Sequence, residues 1–248
     1  MKIAIVTQAR VGSTRLPEKI LREIGNKTLL EIHLHNAQKS KSATHFFVAT
    51  TDEPNAHVIE KIAQGCEWSC YRGSTSDVLA RFFYAVESLK PDYIVRITSD
   101  CPFVQPRVID DLIDYCSKNE LDYAATSENF PDGVDVEILT LNMLELAFQH
   151  AQLASEREHV TPWIRKNAQK QGLLEPEIDS FKDVRLTVDE INDFFCIERL
   201  YEEYGYEEHW KVYSEYVFKH PEFFENQKIQ RNEGYTKSLI NDSKLKNG

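Results

Sequence analysis

Between Ile3 and Lys118, short apolar runs alternate with amphipathic stretches, and this alternation limits the fold more than any other feature of the chain. Ile3–Thr7 (IAIVT), His45–Thr50 (HFFVAT), Trp68–Tyr71 and Asp92–Thr98 (DYIVRIT) read as strands. A run that is apolar throughout belongs to a strand buried on both faces. Between these runs, Thr28–Lys39 carries Leu29, Leu30, Ile32, Leu34 and Ala37 at mostly helical spacing, with Thr28 and Glu31 set as a capping box. Asp52 and Pro54 open a second helix to about Gln64, with Val58, Ile59, Ile62 and Ala63 on its apolar face. Ser76 and Asp77 open a third, Val78–Leu89, and Pro106 a fourth, to about Lys118. This order predicts a mostly parallel sheet with helices on both faces. Ligands of such sheets collect at the carboxyl ends of the strands. The loops at 8–19, 71–77 and 98–102 all follow strands and can converge on one crevice.

The second half changes character. Leu121–Thr126 reads as a strand, and Pro131-Asp132-Gly133 as a turn. In Val134–Thr140, Val134, Val136, Ile138 and Thr140 alternate with Asp135, Glu137 and Leu139, which predicts a half-exposed strand. Asn142 is set to cap a helix to about Gln152. Ser155 with Glu158 predicts a capping box for a helix from Glu156 to Lys170 that Pro162 breaks or kinks. Val184–Val188 reads as a late strand, followed by helices at 190–204 and about 209–225. With no internal repeat and no Gly-, Pro- or Ser-rich linker, residues 1–227 are expected to form one domain. An inserted lobe around 121–175 is compatible with that count, and 228–248 reads as a polar, arm-like tail.

The loop Gln8–Leu21 (QARVGSTRLPEKIL) carries Arg10, Arg15 and Lys19 together with Gly12, Ser13 and Thr14. Small residues let backbone N–H groups approach an anion, and the cations neutralise it, so the loop suits a phosphate chain. The same residues also suit a solvated surface loop. Neither GxGxxG nor GxxxxGK[ST] is present. A net charge of −11 and a pI of about 5.3 argue against broad binding to a nucleic-acid backbone. The five cysteines, Cys66, Cys70, Cys101, Cys116 and Cys196, lack metal-ligand spacing and read as reduced thiols. The chain shows neither a signal pattern nor an apolar run of about 18 residues, so a cytoplasmic protein without a membrane span is expected.

Asp100 and Asp189 each follow an apolar run. Two such carboxylates suit Mg²⁺, which keeps several waters and takes one or two carboxylates plus phosphate oxygens. Each aspartate also suits a turn or helix cap. Arg72, Arg81 and Arg96 add cations near the same crevice, and Arg96, within an apolar strand, needs a partner, either an acid of the protein or a ligand. Asp135 and Glu137 share one side of their strand by period two. They suit either substrate hydroxyls or a solvated face. His159, beside Arg157 and Glu158, suits an acceptor contact or a packing role.

Taken together, QARVGSTRLPEK, RGSTSDVLARF, RITSDCP, DGVDVEIL, REHVTP and RLTVDEINDF resemble the CMP-sugar synthetase-like cytidylyltransferases, in the branch of the spore coat polysaccharide biosynthesis protein F and the acylneuraminate enzymes. The likeness covers roughly residues 2–205. In RLTVDEINDF, Asp189 is kept, and Glu190-Ile191 stands where the family has Thr-Pro. The resemblance implies an α/β, GT-A-like nucleotidyltransferase fold whose mostly parallel mixed sheet is flanked by helices on both faces. It implies transfer of CMP from CTP to a sugar or sugar acid, with Arg10, Lys19 and Asp100 at the catalytic centre. It further implies that Arg10, Arg15 and Lys19 hold the triphosphate, and that Ala9, Gly12 and Ser13 line the nucleotide. Arg72, Gly73, Ser74 and Arg96 would complete the nucleotide site. Asp100 and Asp189 would bind Mg²⁺, and Asp135, Glu137 and His159 would face the acceptor. A homodimer is implied as well. A GT-A-type glycosyltransferase using a nucleotide-sugar donor, or a non-catalytic nucleotide-binding subunit, would carry many of the same features.

Overall fold

The apolar runs pair as the alternation predicts. The computed structural model describes residues 1–178, 181–229, 231 and 233–246; residues 230, 232 and 247–248 of the expected tail lie outside it. The first half runs β1 (Ile3–Gln8), β2 (Glu23–Ile24), β3 (Lys27–Thr28), α1 (Leu29–Gln38), β4 (His45–Thr51), α2 (His57–Gly65), β5 (Ser69–Gly73), α3 (Val78–Val86), β6 (Tyr93–Thr98) and α4 (Pro106–Lys118). The second half adds β7 (Tyr123–Thr126), β8 (Glu137–Thr140), α5 (Leu141–His150), α6 (Ala154–His159), α7 (Pro162–Asn167), β9 (Gln171–Leu174), α8 (Ile191–Tyr204), α9 (Trp210–Lys219) and α10 (Glu233–Lys246). One sheet of the described residues has seven strands in the order β5-β4-β1-β6-β8-β7-β9. Only β8 runs antiparallel to its neighbours.

The central strand shows why its sequence is apolar throughout. Ile3 and Ile5 join a core with Leu30, Leu34, Ile109 and Leu112 on one face. Ala4 and Val6 join another with Leu79, Phe82 and Leu144 on the opposite face. Each fully buried aliphatic side chain of this kind contributes about 1.5–3 kcal/mol relative to exposure. The local signals hold at α1, where the Thr28 side chain accepts from Glu31 N and the Glu31 carboxylate accepts from Thr28 N. They hold at α4, which spans Pro106–Lys118, and at α3, which Asp77 caps by accepting from Ala80 N at 2.9 Å.

The second half departs from the local signals where tertiary contacts compete. Val184–Val188 is not a strand of the sheet. It lies across the carboxyl ends, joined to Asp132 by a single parallel bridge at Arg185 and to Asp100 by a Val188 N–H bond of 2.8 Å. Its alternate residues Val184, Leu186 and Val188 are buried. The turn it meets needs glycine, because Gly133 has φ +101 and an added Cβ would lie 2.6 Å from the Leu186 carbonyl carbon. The Val134–Thr140 run forms a strand only from Glu137. It is buried rather than half-exposed, because β8 lies between β6 and β7. Arg72 and Gly73 belong to β5 itself rather than to the loop after it. The expected helix 156–170 is split: Val160 turns at φ 70, and Pro162 opens α7. Glu156, not Glu158, caps α6 by accepting from Leu153 N, and Thr140, not Asn142, caps α5. The residues from 233 form a helix that packs against α6.

One buried group ties the first strand to the loop after β6. His33 on α1 is fully buried. Its Nδ1 lies 2.8 Å from the Cys101 carbonyl and its Nε2 3.0 Å from the Thr7 hydroxyl. A carbonyl only accepts, so Nδ1 carries the proton, and in the neutral ring that burial favours Nε2 accepts from the Thr7 hydroxyl. Burial lowers its pKa from 6.5 to about 4. As pH falls from 6.5 towards 4, the unfolded chain binds a proton that the folded one refuses, so stability falls by roughly 3 kcal/mol in total. Burial and Asp135 push Asp132 up to about 6, against the pull of Arg185, and its protonation works in the opposite sense over the same window. The difference between wild type and His33→Asn isolates the histidine. In urea titrations, the stability difference between the two proteins should shift by roughly 3 kcal/mol between pH 7 and pH 4, with wild type losing more.

Candidate active site

The loop after β1 ends in a 3-10 turn, Lys19–Leu21, whose Ile20 is buried together with Leu16. These apolar anchors leave Lys19 facing the carboxyl ends of the strands. Its Nζ donates to Asp100 Oδ2 at 3.2 Å, Asp189 Oδ1 at 2.9 Å and the Val188 carbonyl at 2.8 Å. All three ammonium protons are used. Burial opposes the charge on Lys19, but the two aspartates outweigh it and raise its pKa. The enclosed position of Asp100 likewise opposes ionisation, and Lys19 with the Thr98 hydroxyl overcomes it, holding the carboxyl well below the usual range. Asp189 also takes Arg15 Nη2 at 2.9 Å on Oδ1 and Arg185 Nη2 at 3.2 Å on Oδ2. Arg15, Lys19, Asp100 and Asp189 are thus one cluster.

This cluster floors a cleft of about 1580 Å³, which Arg10, Gly12 and Ser13 also line. Ala9 lines it too, its N–H bonded to the Ala49 carbonyl at 3.2 Å. A Cβ on Gly12 would meet no atom within 4 Å, so the backbone there opens onto the cleft. Arg72, Gly73 and Ser74 are not among the lining residues. The Arg72 guanidinium instead donates to the carbonyls of Thr51, Asp52 and Glu53 at 3.4, 3.3 and 2.9 Å. Thr75, Ser76 and Arg81 line that edge. Arg81 donates to the Ser74 and Thr75 carbonyls and so holds the loop after β5 in place. Burial, with Arg10 nearby, lowers its pKa to about 10.

At the far end, Glu137 is a buried acid bound on every side. Arg96 Nη1 lies at 2.5 Å, the Tyr123 hydroxyl at 2.5 Å and Arg165 Nη2 at 2.7 Å. Burial would raise its pKa, but Arg96 and Arg165 outweigh this and bring it down to about 2. Arg96 therefore has an acid of the protein as its partner. Asp135 accepts from Gly133 N at 2.9 Å and pairs with Arg231. His159 Nε2 lies 3.0 Å from the Ser238 hydroxyl, and its ring meets Tyr235 edge-on. Burial lowers the His159 pKa, against the pull of Glu158. Arg231, Glu233, Tyr235, Lys237 and Ser238 all line the cleft, so the C-terminal segment walls this end. Glu233 reaches back to Arg15 at 3.3 Å.

Arg165, Arg185 and Arg231 escaped the sequence reading. Arg185 carried a signal, a lone cation in the apolar alternation Val184, Leu186, Val188. Arg231 sits in a polar stretch and Arg165 in an amphipathic helix, where a cation is unremarked.

Cationic strand-end loops above two clustered carboxylates, on an α/β sheet, are the makings of a nucleotide-handling enzyme. The family model described as cytidylyltransferase matches residues 3–229, and the chain belongs to that family, as a nucleotidyltransferase. The spore coat polysaccharide biosynthesis protein SpsF of Bacillus subtilis is 35% identical over 213 residues, covering 82% of this chain and 88% of that protein. The uncharacterized protein MJ1063 of Methanocaldococcus jannaschii is 40% identical over 197 residues, covering 78% of this chain and 81% of that protein. The solved structure of a cytidylyltransferase from Leptospira borgpetersenii superposes with a TM-score of 0.85 at 33% identity, covering 93% of this chain and 100% of that one.

Removing the acid from the Arg96–Glu137–Arg165 group would leave two guanidiniums uncompensated. Glu137→Gln should cost about 3 kcal/mol of folding stability, read from urea denaturation at pH 7.

Proposed function

We propose that the protein transfers CMP from CTP to a sugar or sugar acid, releasing pyrophosphate, in a Mg²⁺-dependent reaction that supplies surface polysaccharide synthesis. The observation that carries this reading is the meeting of Asp100 and Asp189 on the Lys19 ammonium beneath a loop with two further cations, Arg10 and Arg15. The name of the SpsF relative supports the polysaccharide role.

The donor set fits Mg²⁺. Both carboxylates lie within 3.2 Å of the Lys19 nitrogen, so the two donors are close enough to share one cation. Among the described residues, no group of three or more His, Cys, Asp or Glu could hold a metal by itself. Two carboxylates suit an ion that completes its shell with water and phosphate oxygens. Asp100 and Asp189 would hold it, and when bound it neutralises charge on the phosphates and the leaving pyrophosphate.

The chain's own part is positioning and charge neutralisation. Arg10 and Arg15 grip the triphosphate, Lys19 joins them by exchanging one carboxylate contact for a phosphate oxygen, and the open backbone at Gly12 and Ser13 lets it approach. The β5 end, Arg72-Gly73-Ser74, supports the nucleoside side through the loop that Arg81 holds. Asp135 and His159 meet acceptor hydroxyls, and the Arg96–Glu137–Arg165 group forms the wall behind them. The acceptor hydroxyl oxygen bonds to the α-phosphorus as the bond from that phosphorus to the α,β-bridging oxygen breaks; pyrophosphate leaves with that oxygen, and the hydroxyl proton passes to solvent. The exposed Phe195, Phe218 and Phe223 support a homodimer, and the reading places the enzyme in the cytoplasm.

A thermal-shift panel of NTPs with and without Mg²⁺, followed by pyrophosphate release against sugars and sugar acids, tests the reading. CTP with Mg²⁺ should stabilise most; stabilisation by UDP-sugars with a flat response to CTP would overturn it. Folded Asp100→Asn should release pyrophosphate at least ~10²-fold more slowly, and an unchanged rate would remove the metal assignment. Glu233→Gln relieves Arg15 of a competing carboxylate and should tighten CTP binding about two- to fivefold by calorimetry, the size expected of an exposed ion pair.

A further inference from the structure

Arg185 is nearly enclosed, with its side chain 5% exposed, and it serves three acids at once. Nε and Nη2 fork onto Asp193 at 2.9 and 3.0 Å. Nη2 also reaches Asp189 Oδ2 at 3.2 Å, and Nη1 reaches Asp132 Oδ2 at 2.5 Å. Asp193, fully buried on α8, uses the same carboxylate to accept from the N–H groups of Asp189 and Glu190 at 2.8 and 2.9 Å. The backbone and the side chain of Asp189 are therefore held by one Arg185–Asp193 unit. Asn226 closes that unit, donating to Asp193 Oδ1 at 3.1 Å.

The result is asymmetric. Oδ2 of Asp189 is turned to Arg185, while Oδ1 is turned to Lys19 and Arg15 over the cleft. A flexible aspartate would sample rotamers; this one presents a single oxygen to the point shared with Asp100. Through Asp132, Arg185 also grips the turn at 131–135, which carries the acceptor-side Asp135. The backbone bonds Asp132 N to the Val184 carbonyl, 2.9 Å, and Leu186 N to the Asp132 carbonyl, 2.6 Å, reinforce that grip.

We propose that Arg185 is a positioning residue, which sets Asp189 Oδ1 for the metal–nucleotide complex and locks the acceptor-side turn to it. This rests on the reading of Asp189 as a metal ligand. A planar guanidinium serves three carboxylates because its donors diverge in a fixed fork, and a lysine ammonium cannot span the same set. A merely structural ion pair would lower folding stability when weakened and leave the metal affinity of the folded protein alone.

The test is Arg185→Lys, with Arg185→Gln as a second variant should the first not be recovered folded. Mn²⁺ stands in for Mg²⁺ because its binding is read directly by electron paramagnetic resonance. In the full chain, Mn²⁺ affinity is titrated in the presence of CTP. CTP affinity in EDTA is measured by calorimetry, and folding by urea denaturation. The expected result is a loss of tenfold or more in Mn²⁺ affinity, with CTP affinity in EDTA within about twofold of wild type, since the triphosphate cations are untouched. Unchanged Mn²⁺ affinity in a folded but less stable variant would overturn the positioning role. Wild type that binds CTP no more tightly with Mn²⁺ than in EDTA would instead overturn the metal reading itself.

Discussion

The ammonium of Lys19, within 3.2 Å of carboxylates that follow β6 and the 184–188 segment, is the contact on which the cleft depends. Two carboxylates directed at one point repel, and in an enclosed site one of them would take up a proton. A cation between them offsets that repulsion. For the lysine to stand there, the β1 loop must turn back over the strand ends, which the buried Leu16 and Ile20 enforce. The β6 loop must be held from below, which His33 does through the Cys101 carbonyl. The 184–188 segment must cross above, which its bonds to Asp100 and Asp132 achieve.

The two ends of the cleft treat acids differently. Asp100 and Asp189 keep side-chain exposures of 30% and 20%, enough to meet a ligand. Glu137 is 7% exposed and satisfied by two arginines and a tyrosine, so it organises its neighbours and fixes Arg96 and Arg165 against the sheet. The C-terminal segment links the ends, with Glu233 on Arg15 at one and Ser238 on His159 at the other. These links are polar, and the same helix also packs on α6 through the Tyr235–His159 ring contact and the buried Asp242, which accepts from Ser155 N.

Legibility followed the range of the interaction. The capping box at Thr28 and Glu31, the Asp77 cap and the Pro106 helix start are settled within a few residues, and all three were readable. So was the parallel sheet, because a strand buried on both faces must be apolar throughout. Val184–Val188 was misread because its apolar alternation in sequence looks the same whether a segment joins a sheet or, as here with all five residues buried, crosses its ends. Glu137 looked like a solvated position because nothing local reveals that β8 lies between β6 and β7. Arg72 looked free for a ligand, and the carbonyls of the β4 end claim it instead.

The sequence by itself determined the α/β class, the order of the main-sheet strands and the helices through α4, and the residue types at the cleft: a cationic loop and two aspartates at the ends of apolar runs; the short β2–β3 pair was not read. These follow from hydrophobic periodicity, capping and charge, which act locally. Only the tertiary structure decided which charges meet. It brought Lys19 between Asp100 and Asp189, buried Glu137 between Arg96 and Arg165, and laid Arg231 and Glu233 across the cleft. Pairing between side chains far apart in sequence depends on how the chain crosses over the sheet, and no local pattern encodes that crossing.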